Sequence, residues 1–174
     1  NEVSIEKTLL SSGKKPNVTY VAMIDYGTFD VNRVQPRTEQ GIDGIRLAFH
    51  KEKWKESIEW GKTIMAKGYD LYIQPMVSMR YEDDEYRQLI HVCNTELAGA
   101  KGFYVVDSFG QMDTVSLVHK LDIADQYVSM SMKLGFHAHN NRQMAYSNAC
   151  AFVDYHARHD VMLDCSIMGM GKEI

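Results

Sequence analysis

The chain has 174 residues, 45% hydrophobic and 24% charged, with a formal net charge of −4. That length suits one domain and that composition a soluble globular core, while the acidic balance argues against nucleic acid or an anionic membrane as partner. No apolar run reaches the 18 residues of a membrane span, and the N-terminus lacks the basic-then-apolar pattern of a signal peptide. Cys93, Cys150 and Cys165 form no CxxC pair and read as buried free thiols in a reducing compartment, which places the protein in the cytoplasm.

Short apolar segments alternate with longer amphipathic ones along the chain. Asn1–Ser12 reads as a helix, ended by Gly13 and followed by Pro16. Strand-like segments follow at Val18–Asp25 and Gly44–His50. Trp54–Ala66 places Trp54, Ile58, Ile64 and Met65 near helical spacing and precedes a strand at Asp70–Ser78. Tyr86–Ala98 gathers Leu89, Ile90, Cys93 and Leu97 on one helical face before a strand at Gly102–Asp107. A helix at Val115–Met130, a strand at Lys133–His139, a helix at Met144–His156 and a strand at Met162–Ile167 complete the series. Within that last strand, Cys165 reads as core packing.

Strand–helix alternation implies parallel strands joined by crossover helices, either in an open doubly wound sheet or in a (β/α)8 barrel. The first strand runs into "DYGTFD", which is not the glycine fingerprint of a nucleotide-binding open sheet. Polar residues instead collect at the carboxyl ends of the strands: Asp25, Arg46, His50, Gln74, Asp107, His137, His139 and Asp164. That distribution is what a barrel active site needs. At about 30 residues per unit, six units fit the length and two of a barrel's eight are lacking.

In "LGFHAHNN" (Leu134–Asn141) two histidines stand two residues apart. On a strand, residues i and i+2 share a face, so His137 and His139 can offer two imidazole nitrogens to one metal ion. Two histidines satisfied by ordinary hydrogen bonds at a strand end would look the same in sequence. Arg46 shares a face with Ala48 and His50, and a guanidinium facing a lumen needs an anion. A substrate carboxylate and a structural pair with Asp25 or Asp107 both meet that need.

Three motifs follow one another, one per unit: "DSFGQM" (Asp107–Met112), "GFHAHNN" (Gly135–Asn141) and "DCSIMGMG" (Asp164–Gly171). Together they resemble the metal-dependent pyruvate-aldolase and Claisen-condensing barrel family, which includes the 4-hydroxy-2-oxovalerate aldolases, 3-hydroxy-3-methylglutaryl-CoA (HMG-CoA) lyases, and isopropylmalate and homocitrate synthases. The resemblance implies an α/β fold, a (β/α)8 TIM barrel represented here by strands three to eight. Residues 1–174 would form a single catalytic barrel domain lacking the first two strands and the C-terminal end. The arginine–aspartate pair of the family's first strand has no counterpart before Val18.

The resemblance further implies a divalent ion (Mn, Zn, Co or Mg) held by His137 and His139. Arg46 and Asp107 would act as catalytic groups, Asp107 accepting from a histidine N–H or from substrate, although a strand-end carboxylate can equally cap the next turn. Asn140, Asn141, Gly169 and Gly171 would lie against substrate or behind the ligands. The implied reaction is aldol cleavage of a 4-hydroxy-2-keto acid to pyruvate and an aldehyde through a metal-stabilised enolate. An acyl-CoA lyase or Claisen-type synthase of the same superfamily is the alternative, and a non-catalytic barrel-like scaffold is the alternative of another class. Expected partners are a small keto acid, an aldehyde dehydrogenase and further copies of the chain, with neither nucleic acid nor membrane.

Overall fold

The computed structural model describes residues 13–166, so the helix expected at Asn1–Ser12 and the glycines Gly169 and Gly171 lie outside the described residues. Six strands, β1 (Val21–Asp25), β2 (Gly44–Phe49), β3 (Asp70–Pro75), β4 (Gly102–Asp107), β5 (Lys133–Ala138) and β6 (Val161–Leu163), form one sheet in sequence order. Every neighbouring pair is parallel. Four helices cross between strands: α1 (Trp54–Ala66), α2 (Asp83–Glu96), α3 (Thr114–Tyr127) and α4 (Ala145–Asp154).

Local chemistry starts these helices where they start. The Glu85 carboxylate accepts from the Glu82 amide at 3.0 Å, one half of a capping box opening α2. The Asp113 side chain accepts from Ser116 N at 2.8 Å and opens α3.

Strand alternation sorts the side chains onto two faces. Ile45, Leu47, Phe49, Leu71, Ile73, Phe103, Val105, Leu134 and Phe136 share the helix-covered face and are essentially inaccessible. The opposite face carries Arg46, Tyr72, Gln74, Tyr104, His137 and, just beyond β6, Asp164.

Curvature of the sheet follows from one contact. Arg46 on β2 reaches Asp164 beyond β6, although four strand spacings of about 4.8 Å would hold these strands roughly 19 Å apart in a flat sheet. The sheet therefore curls around a lumen. In an eight-stranded barrel of shear eight, level positions advance about one residue per strand relative to the pairing register. Starting at Arg46, the registers Arg46↔Tyr72, Ile73↔Phe103, Tyr104↔Gly135 and Phe136↔Leu163 lead by such steps to Tyr104 and then to Asp164. One layer of side chains from alternate strands is thus in place, as in a partial TIM barrel. The outermost strands carry exposed apolar side chains, Val21 and Met23 on β1 and Val161 and Leu163 on β6.

Several expectations are corrected. The last strand ends at Leu163, well short of Ile167, because the chain leaves the sheet after Asp164 N donates to Phe136 O. Cys165 therefore lies beyond the strand and is exposed, and so is Cys150; of the three thiols only Cys93 is buried. Helix α2 begins three residues earlier than expected, at its acidic first turn.

Candidate active site

The site has its histidines at the carboxyl end of β5 and Asp164 just past β6, with Arg46 and Tyr104 standing mid-strand on β2 and β4. His137 and His139 project from the end of β5 into the lumen, with Nε2 atoms 3.3 Å apart, ring centroids 5.1 Å apart and ring planes at 83°. Two nitrogens each about 2.1 Å from one ion lie roughly 3.0–3.4 Å apart at tetrahedral or octahedral angles. The pair therefore fits two positions on a divalent cation. Among the described residues no group of three or more His, Cys, Asp or Glu side chains is arranged to hold a metal ion. The pair is thus a two-donor set, and further donors would have to come from substrate, water or residues outside those described.

Behind the pair stands Asp164. His137 Nδ1 is 2.7 Å from Asp164 Oδ2, while Arg46 donates from NH2 to Oδ1 at 3.1 Å and from NH1 to Oδ2. Arg46 NH2 also donates to the Tyr104 hydroxyl at 3.1 Å, and its guanidinium sits 4.5 Å from the Tyr104 ring centroid. Burial pulls the Asp164 pKa upward, but the hydrogen bonds from His137 and Arg46 outweigh it and hold the carboxyl below its ordinary value. Tyr104 is pushed well above its ordinary pKa by burial and by the Asp164 charge, so its hydroxyl keeps its proton.

Glycines make room for the floor of the site. A Cβ on Gly135 would stand 2.5 Å from the Tyr104 ring, and one on Gly102 would overlap the Met162 methyl. Tyr104 and Met162 thus fill the lumen beneath the histidines.

The structure distributes the other expected residues differently. Arg46 does find an anion, but it is Asp164 rather than Asp25 or Asp107. Asp107 faces the helical side of β4, where its oxygens accept from Gln111 N and Met112 N at 3.0 Å each. Its carboxylate caps the turn after β4, the second of the two readings open to a strand-end acid, and does not take the catalytic one. Ala145 N, at the start of α4, donates to the Asn140 side-chain oxygen at 3.1 Å, and Asn141 is exposed. His50 is exposed at the lumen rim. Gln74 is 3% exposed, and its Oε1 has no hydrogen-bond partner among the described residues.

The first two motifs meet in space at Gly110. Its φ is +58°, and a Cβ there would stand 2.7 Å from His139 O and closer still to Asn141 N. Arg142 N donates to Gly110 O at 3.0 Å, and His139 N donates to Asp107 O at 3.2 Å. The "DSFG" turn is therefore the template on which the "HAHNN" segment rests.

Two residues of the site, Asp164 and Tyr104, have no role that the sequence alone points to. In sequence Asp164 is a strand-end acid at the head of a Gly-x-Gly motif. Tyr104 had a signal in the alternation Gly102–Tyr104–Val106, a large residue on the same face as the small Gly135 beside it. A separate cleft of about 380 Å³, lined in part by Asp70, Lys101, Lys133, Arg158, His159 and Asp160, opens at the amino ends of the strands. Barrel enzymes work at the opposite rim.

No protein-family profile matches the chain. A curated 4-hydroxy-2-oxovalerate aldolase of Nocardia farcinica is 27% identical over 154 residues, covering 83% of this chain and 40% of that protein. The chain thus spans about two fifths of the length of that relative. Among solved structures, the N-terminal domain of a Bacteroides vulgatus protein described as an aldolase superposes with a TM-score of 0.74 at 22% identity, over 98% of this chain and 55% of that one. An HMG-CoA lyase of Bacillus subtilis superposes at 0.69 and 14% identity, over 91% of this chain and 56% of that one. At these identities the superpositions establish the fold.

Proposed function

From a chain that is a distant relative of the 4-hydroxy-2-oxovalerate aldolases and has the barrel fold of the HMG-CoA lyase-like group, we propose that the protein is a divalent-metal-dependent carbon–carbon lyase. It cleaves a 4-hydroxy-2-keto acid to pyruvate and an aldehyde. The observation that carries this reading is the convergence of His137 Nε2 and His139 Nε2 at 3.3 Å on the rim where barrel enzymes act.

A divalent ion bound by these nitrogens supplies Lewis-acid stabilisation of the negative charge that develops on the keto-acid oxygens as the bond breaks. The chain's own residues supply the rest. His137 and His139 fix where the ion and the keto acid sit. Tyr104 and Met162, packed over Gly135 and Gly102, form the floor of the lumen below the histidines. Arg46 and Asp164 satisfy each other's charge in the wall. The free thiols Cys150 and Cys165, both exposed, suit a reducing cytoplasm. An aldehyde dehydrogenase receiving the product aldehyde would be a natural partner.

The test is pyruvate release from 4-hydroxy-2-oxovalerate by the full-length protein with Mn²⁺, Zn²⁺ or Co²⁺. The wild type is expected to turn over, and the His137→Ala/His139→Ala double variant to lose at least about 100-fold. Unchanged turnover in the double variant would overturn the reading. Cleavage of HMG-CoA in place of the keto acid would move it to the acyl-CoA branch.

A further inference from the structure

We infer that Asp164 is the positioning residue of the histidine pair: clamped by Arg46, it accepts a hydrogen bond from Nδ1–H of His137, which keeps the proton on Nδ1 and leaves the Nε2 lone pair facing His139. The consequence for metal binding rests on the function proposed above, whereas the tautomer itself does not.

An ionised carboxylate can only accept hydrogen bonds. With Asp164 Oδ2 2.7 Å from His137 Nδ1, that nitrogen must carry the proton. In a neutral imidazole the other nitrogen then carries the lone pair. That nitrogen is the one 3.3 Å from His139 Nε2. Without the acceptor, His137 could place its proton on Nε2, where it would block a ligand position.

Asp164 needs outside help to hold this orientation, because it lies past the end of β6, where its backbone is tied to the sheet through Asp164 N to Phe136 O at 3.1 Å. Arg46 provides that help by grasping both carboxylate oxygens, a geometry that fixes the plane of the group as well as its position. Arg46 is held in turn by the Tyr104 ring and hydroxyl. Tyr104 lies against Gly135, which stands two residues before His137 on the same strand. The contacts Gly135–Tyr104–Arg46–Asp164–His137 therefore start and end on β5. Such a closed ring fixes the imidazole more tightly than any single bond in it.

The experiment records long-range ¹H–¹⁵N correlations of the histidine rings in metal-free protein, at a pH well above the ordinary histidine range, with His137 assigned from the spectrum of His137→Gln. The wild type is expected to show a protonated Nδ1 and a bare Nε2. Asp164→Ala is expected to lose that pattern and to weaken Co²⁺ binding about 10- to 100-fold. Arg46→Lys keeps the carboxylate but loosens the clamp, and should fall between the two. A wild-type His137 protonated on Nε2 would overturn the inference whether or not any variant folds. So would a folded Asp164→Ala that keeps the wild-type tautomer. A wild type with the expected tautomer that binds no Co²⁺ would leave the inference standing and remove the metal reading.

Discussion

Arg46 and Asp164 meet across the lumen although 118 positions separate them in sequence and three strands lie between β2 and β6. The pair joins the second strand to the end of the last one and holds the curl of the sheet. Each side chain is about one fifth exposed (21% and 22%), so removing one partner leaves the other charge largely buried. Arg46→Ala is expected to lower unfolding free energy by about 2–3 kcal/mol. In the Arg46→Ala/Asp164→Ala double variant the loss should be smaller than the sum of the two single losses. Urea unfolding of the four proteins measures this. Additive losses would show that the contact does not couple the two strands.

Gly110→Ala tests whether the aspartate turn supports the histidine segment. The new Cβ would run into His139 O and Asn141 N, at a φ of +58° that side-chain-bearing residues rarely adopt. A loss of about 1–2 kcal/mol in urea unfolding is expected from the backbone conformation alone. Displacement of His139 should in addition weaken Co²⁺ binding by at least about tenfold. A stability loss with unchanged Co²⁺ affinity would separate the turn from the site.

Acid sensitivity should centre on Asp43. This carboxylate accepts from Lys14 Nζ at 2.6 Å, Tyr20 N at 2.9 Å and Arg37 NH2 at 3.1 Å, tying the segment before β1 to the start of β2. Burial raises its pKa, but the hydrogen bonds from Lys14, Tyr20 and Arg37 prevail and bring it down from 3.8 to about 2. Between these values the unfolded chain binds more protons than the folded one, so stability falls as pH drops. The contribution is full above roughly pH 5 and gone below about pH 2. Asp164 and Asp83, also lowered, add to the same limb. The urea midpoint should drop between pH 6 and pH 3, and Asp43→Asn should flatten part of that drop. An equally steep drop in the variant would place the acid limb elsewhere.

Much of this fold is written plainly in the residues. Parallel strands covered on both faces give near-continuous apolar runs, which bounds Gly102–Asp107 from sequence to the residue, while the helical spacing of Trp54, Ile58, Ile64 and Met65 bounds Trp54–Ala66. The same continuity hides which face is the lumen. Strand parity sets Asp107 opposite Tyr104, but with both faces apolar nothing in the sequence says which of the two meets His137. Helix α4 shows a related difficulty, because Tyr146 and Val153 are exposed apolar residues that blur its periodicity and make Cys150 look buried. The histidine pair was legible because an i, i+2 spacing needs only a strand to converge. Its link to Arg46 was not, since a contact across a closed sheet leaves no mark in local spacing.

The most direct test of the site is anomalous scattering from crystals of the full-length protein grown with Mn²⁺ or Zn²⁺. A single peak about 2.1 Å from both His137 Nε2 and His139 Nε2 is expected. Rings turned away from each other, or a well-ordered site with no peak between them at saturating metal, would contradict the assignment of the pair as ligands.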